Sequence, residues 1–170
     1  MGPRLNYPYN IRGSMESFSS DSFIFFFFLI PFLSSMGGTD ETNFLNSIGK
    51  AKDGSGNGDI LIWKRKAEKY LIESGLDYTI IHPGGLLDTP ASQEQLMLDV
   101  DDKLIQNEKR SISRADVANL CVAALEVCNE GQSVSFDCIA SEVEEGTEIK
   151  SATEALEDFL AKEVSCDYSL

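Results

Sequence analysis

The stretch from Asp59 to Gly85, "DILIWKRKAEKYLIESGLDYTIIHPGG", constrains the fold more than any other part of the chain. Ile60, Trp63, Ala67 and Tyr70, with Leu71, recur at helical spacing and form an apolar stripe. Asp59 is a capping residue type at the start of this helix, and Gly75 supplies the left-handed turn that ends it. "DYTIIH" then reads as a short β-rich strand, stopped by Pro83, Gly84 and Gly85. A helix, a tight turn and an apolar strand make half of a parallel α/β unit.

The remaining elements fit the same class. Ser113–Cys128 predicts a second helix, with Ser113 as cap and Val117, Leu120, Cys121, Ala124, Val127 and Cys128 inward. "SVSFDCI" is a third strand candidate, and Ser151–Glu163 an amphipathic helix with Ala155, Leu156, Phe159 and Leu160 inward. Residues 91–109 are polar, with one short helix and the acidic turn "DVDDK". Residues 37–59 form a long Gly-rich polar loop.

Composition changes near Gly38. Arg4, Arg12, Glu16 and Asp21 cancel in residues 1–38, so the remainder carries the whole net charge of −14. That charge repels phosphates and argues against nucleic acid as a partner. It disfavours an anionic membrane surface too. Six of the ten Phe lie in Phe23–Leu33, a run of eleven residues that includes Pro31. A membrane-spanning helix needs about 20 apolar residues, so this run is too short. It could form a buried strand of a parallel sheet. Its Phe, Leu, Ser and Pro are the residues encoded by pyrimidine-rich tracts. Residues 1–33 are therefore expected to be an unstructured or aberrant segment, and 34–170 the folded domain.

Candidate chemistry is sparse. His82 is the only His, and none of Cys121, Cys128, Cys138 and Cys166 forms a CxxC pair. A Cys/His metal site of ordinary spacing is not supported, so no metal is expected and the cysteines read as reduced core residues. "GSGNG" at Gly54–Gly58 lacks a preceding strand and matches no phosphate-loop pattern, so it reads as a flexible loop. Lys66 stands in a basic cluster with Lys64, Arg65 and Lys69, either a solvated helix face or a contact for phosphate or ribose. His82 lies at the carboxyl end of a strand, where open α/β sheets bind ligands. A hydrogen-bonded rim histidine is the alternative.

Several spaced motifs recur in the order seen in a known family. "SSMGGT", "NGDILIWKRKAEKYLIESGLDYTIIHPGGLLD" and "ISRADVANLCVAAL" resemble atypical short-chain dehydrogenase/reductase proteins of the plant NAD(P)-binding, NmrA-like group. The likeness covers roughly residues 34–165. It implies a Rossmann-type doubly wound parallel sheet with flanking helices and a nicotinamide dinucleotide, NADP or NAD, as cofactor. By resemblance Ser35 ends the strand before the active site, and Lys66 contacts the nicotinamide ribose. Both match active-site positions. His82, Pro83, Gly84 and Gly85 match the turn against the nicotinamide, with His82 in place of a common Arg. The Tyr usual four residues before the Lys is Ile62 here. Arg114 and Asp116 match residues that dock their helix.

The family's first strand and its GxxGxxG turn, which hold the pyrophosphate, have no counterpart in this sequence. The fold is expected to be a partial, truncated sheet, the carboxyl-terminal half of the family. Such a chain is expected to be an NAD(P)-binding oxidoreductase-like protein, weak or inactive alone, acting on an unknown small-molecule substrate. The alternative is a non-enzymatic interaction module that self-associates through an exposed sheet edge. By resemblance the compartment is cytoplasm or plastid.

Overall fold

The computed structural model describes residues 29–128, 131–144 and 146–169. The described residues form six strands and three α-helices. Strand β1 (Ile30–Leu33), β2 (Tyr78–Pro83), β4 (Gln95–Asp99) and β6 (Val134–Ser141) form one sheet in the order β1-β2-β6-β4. The β1–β2 and β2–β6 pairs are parallel and β4 runs antiparallel to β6. A small second sheet pairs β3 (Gly85–Leu87) with β5 (Ser111–Ser113) in parallel. Helix α1 is Ile60–Glu73, α2 is Arg114–Val127 and α3 is Ala152–Leu160.

The central strands explain the layering. Parallel strands covered on both faces carry near-continuous apolar runs, and β2 and β6 are buried over almost their whole length. Ile81, Phe136 and Cys138 point to one face, where they pack with Leu120 and Ala124 of α2 and Leu156 and Phe159 of α3. The Phe136 and Phe159 rings sit 5.2 Å apart between centroids. Burial of side chains of this size contributes roughly 1.5–3 kcal/mol each. His82 and Asp137 alternate to the opposite face, where Glu68 of α1 meets His82. The result is a mixed α/β fold, a mostly parallel sheet with helices on both faces.

Four expectations change. The stripe of Ile60, Trp63, Ala67 and Tyr70 does not face the core: Trp63 is 63% and Tyr70 78% exposed. The opposite face of α1, with Leu61 and Glu68, is the buried one. Asp59 does not cap α1; its backbone is left-handed and its carboxylate pairs with Lys50. The cap comes from Asn46, whose Oδ1 accepts from the Leu61 and Ile62 amides at 2.9 and 3.4 Å. Residues 91–109 hold a strand as well as a 3-10 turn, Lys103–Gln106. Leu96 and Leu98 alternate inward there, which the short sequence window disguised. Of the Phe-rich run, Ile30–Leu33 forms β1, a half-exposed strand at the sheet's end; Phe23–Phe28 lie outside the described residues.

The other ends follow their sequence signals. Ser113 Oγ accepts from the Asp116 amide, and Ser151 and Glu154 form a reciprocal capping box at α3. Gly75 closes α1 with φ +74°. Arg114 pairs with Asp88, and Asp116 accepts from the Ser92 amide and the Ser113 hydroxyl, so both residues dock α2.

Candidate dinucleotide-side active site

The carboxyl ends of β1 and β2 deliver the polar residues of a buried cluster. β1 leads directly to Ser34, Ser35 and Met36, which continue along β2: the Ser34 amide donates to the Ile81 carbonyl and Met36 to Pro83. β2 ends in His82 and Pro83, and β6 places Asp137 beside His82. Helix α1 lays Lys64, Arg65 and Glu68 over this edge. The chain after α3 returns across it, bringing Ser165, Cys166 and Tyr168.

His82 is the hub. Its Nε2 lies 3.2 Å from Glu68 Oε2 and its Nδ1 3.2 Å from Asp137 Oδ1. Cys166 Sγ is 3.7 Å from Nδ1, and the Tyr168 hydroxyl 3.4 Å from Nε2. Burial alone would lower the His82 pKa. Hydrogen bonds to Asp137, Cys166 and Glu68, with the Glu68 charge, outweigh it and push the pKa up to about 11. Glu68 is held below the ordinary Glu value: burial opposes ionisation, but hydrogen bonds from His82, Ser34 and Tyr168 and the His82 charge prevail. Burial raises Asp137, and His82 offsets this only in part. Asp102 sits behind it, accepting from the Gly37 and Thr39 amides and the Thr39 hydroxyl while its own amide donates to Asp137 Oδ2 at 2.6 Å.

The sequence-derived residues separate into two groups. Ser35, His82, Pro83 and Gly84 converge on this edge. Ser35 and His82 line a cavity of about 10 Å³ together with Arg65, Glu68, Asp137 and Cys166. Gly84 is required by close approach, since a Cβ there would lie 2.2 Å from the Arg110 carbonyl oxygen. Gly85 is exposed and opens β3. Lys66 points away from the cluster, its ammonium over the Trp63 ring at 4.4 Å. Lys64, two residues earlier and so on the opposite side of the helix, reaches the Ser34 carbonyl at 3.0 Å. Burial lowers its pKa, with Glu68 opposing. Ile62 stands in α1 as expected, and the position four before Lys64 is Ile60, also without a hydroxyl.

Sequence reasoning missed Glu68, Asp137, Cys166 and Tyr168. Two had a local signal. Glu68 is seven residues from the buried Leu61 and shares its helix face. Asp137 is the one charge in a largely apolar strand, where unpaired charges are rarely buried. Cys166 and Tyr168 had none, because a return of the chain across the sheet brings them in.

A cavity of 10 Å³ admits one water at most. Arg65, on its wall, donates to the Asp167 carbonyl at 2.6 Å and lies 3.9 Å over the Tyr168 ring. Its buried Nε has no acceptor among the described residues. The edge is thus a small, acidic pocket around an imidazole, with a hydroxyl, a thiol and an ammonium on its border.

A mostly parallel sheet with helices on both faces and a polar cluster beyond the carboxyl ends of its parallel strands defines a Rossmann-like protein. Two solved structures share this fold. A putative NAD-dependent epimerase/dehydratase from Bacillus halodurans matches 75% of this chain and 50% of its own, with TM-score 0.53 and 22% identity. The oxidoreductase ylbE from Lactococcus lactis matches 77% and 51%, with TM-score 0.51 and 23% identity. The chain belongs to the NAD(P)H-binding family, whose model matches residues 30–127. The family implies a nicotinamide dinucleotide as ligand, without specifying NAD or NADP. Among curated relatives, an uncharacterised chloroplastic protein of Arabidopsis thaliana is 44% identical over 71% of this chain and 35% of its own length. Sanguinarine reductase of Eschscholzia californica is 43% identical over 78% and 43%. The chain therefore spans less than half the length of these relatives. Among the described residues no helix is long and apolar enough to cross a membrane.

Proposed function

We propose that this chain forms the nicotinamide-side wall of an NAD(P) site and, alone, binds the dinucleotide weakly and turns over no substrate. In this reading Ser35, His82, Pro83 and Gly84, which meet at the carboxyl edge, line that wall, and the exposed Gly85 borders it. Lys64 takes the ribose contact expected of Lys66, because its ammonium is the one at the carboxyl edge. The observation that carries the reading is the small size and acidic lining of that edge. The cavity has room for a water, and Glu68, Asp101, Asp102 and Asp137 line it. Four carboxyl groups disfavour a pyrophosphate. Among the described residues no strand runs through a Gly-rich turn into a helix N-terminus, the arrangement that would supply phosphate contacts. Each hydrogen bond to a charged group contributes roughly 1.5–3 kcal/mol, so losing several removes most of the affinity.

Isothermal titration of the full chain with NADPH and with NADH tests this. The expected result is no saturable heat in the micromolar range for either. Micromolar binding of one would overturn the reading and also choose between NADP and NAD. The substrate class of a completed site is a small molecule. The chloroplastic relatives favour plastid over cytoplasm, which imaging of a fluorescent fusion checks.

A second reading has its own support. β1 ends the sheet, and among the described residues no strand pairs with its outer edge. The exposed stripe of Ile60, Trp63 and Tyr70 lies on the helix before β2. An open edge and an apolar helix face favour self-association. Light scattering on a size-exclusion column decides: a monomer across the concentration range would end this reading.

A further inference from the structure

His82, Asp137 and Cys166 come together from three distant parts of the chain, all buried, with donor atoms within 4.8 Å of one another. We infer that His82 Nδ1, Asp137 Oδ1 and Cys166 Sγ form a binding site for a single zinc-class divalent cation, with the fourth position open to the small cavity. This inference does not depend on the dinucleotide reading.

The geometry is the first argument. Tetrahedral zinc has Zn–S near 2.3 Å and Zn–N or Zn–O near 2.0–2.2 Å, which places nitrogen and sulfur about 3.6 Å apart and nitrogen and oxygen about 3.4 Å apart. The separations here are 3.7 Å for His82 Nδ1 to Cys166 Sγ and 3.2 Å for Nδ1 to Asp137 Oδ1. All three residues line the same cavity, whose 10 Å³ suits one water as fourth ligand.

The surroundings are the second. Metal-bound histidines commonly donate their other ring N–H to a carboxylate, which fixes the ring and its tautomer. Glu68 stands in that position at His82 Nε2, 3.2 Å away, and is itself held by Ser34. The second oxygen of Asp137 accepts from the Asp102 amide, leaving Oδ1 for the metal. Charge is the third. Glu68 and Asp137 flank one imidazole, and Asp102 stands behind Asp137. Arg65 pairs with Glu68, and among the described residues no Lys or Arg pairs with Asp137. A thiolate selects zinc or a softer metal over magnesium and calcium. Ligation releases the Nδ1 and thiol protons and ties the returning chain to β2 and β6.

Cobalt(II) is the probe, added to reduced, chelator-treated full-length protein, with zinc as competitor. The expected result is one cobalt per chain, a thiolate-to-cobalt charge-transfer band and intense tetrahedral visible bands. Zinc should abolish these bands; magnesium and calcium should leave them. Cys166→Ser should remove the charge-transfer band, whereas Cys121→Ser and Cys128→Ser should retain it. Glu68→Gln should weaken zinc binding by roughly 10–100-fold, as loss of such a supporting carboxylate does. A charge-transfer band that persists in Cys166→Ser, or no cobalt spectrum in the wild-type chain, overturns the site. Should Cys166→Ser fail to fold, X-ray absorption of the zinc-loaded wild type decides, with one sulfur and the rest nitrogen or oxygen expected. Any other sulfur count refutes the assignment.

Discussion

Adding one methyl group at Gly84 would place a carbon 2.2 Å from the Arg110 carbonyl oxygen, a backbone atom with little freedom to move. Gly84→Ala should therefore cost about 1–3 kcal/mol of stability, the range for overpacking, read as a lower Tm by calorimetry. Unchanged stability would mean that this close approach is relieved in solution. The two lysines of α1 give a paired test. Lys64 donates to the Ser34 carbonyl, whereas Lys66 lies over an exposed ring. Lys64→Ala should lose about 1 kcal/mol, and Lys66→Ala no more than about 0.5 kcal/mol. Equal losses in urea titrations would refute the placement of Lys64. At this scale the sequence identifies a basic cluster, but cannot say which member faces the site. A rotation of two residues decides that, and the face is set by packing with Leu61 and Glu68, not by the lysines.

The first turn of α1 shows how an element borrows its boundary. Asp59 is the natural cap by sequence, yet its carboxylate pairs with Lys50 and the first-turn amides are taken by Asn46. Asn46→Ala should cost about 0.5–2 kcal/mol, as for a lost N-cap, while Asp59→Ala should cost less, since only an exposed pair is lost. Thermal denaturation of both variants distinguishes them; the reverse ranking would restore Asp59 as cap. By contrast α2 and α3 carry caps within three residues, Ser113 with Asp116 and Ser151 with Glu154. These were legible because the contacts are local. β4 was not: its alternating Leu96 and Leu98 are too few for a periodicity argument, and pairing with β6 creates the strand.

Across the whole molecule, the apolar stripe of α1 and the edge of β1 remain uncovered by the described residues. If these surfaces drive self-association, replacing Trp63 and Tyr70 together by Lys should shift the particle to monomer without loss of folded stability. Light scattering combined with circular dichroism checks both halves of that statement. A double variant with unchanged mass would place the contact elsewhere, with the β1 edge next to be tested.

The alternation of helical and strand signals, the local caps and the Pro-Gly-Gly stop were enough to determine a parallel α/β fold, because each rests on contacts within a few residues. The motifs around Ser35, His82 and Gly84 pointed to the carboxyl edge of the sheet through their resemblance to a known family, not through local contacts. The charge chemistry of that edge was decided by the tertiary structure alone. Glu68, Asp137 and Cys166 lie 14, 55 and 84 positions from His82 along the chain. Only the packing of α1, the pairing of β6 with β2 and the return of the chain after α3 bring them to one imidazole. Burial then changes what they are, from ordinary surface-type side chains into a coupled cluster whose charges water no longer screens.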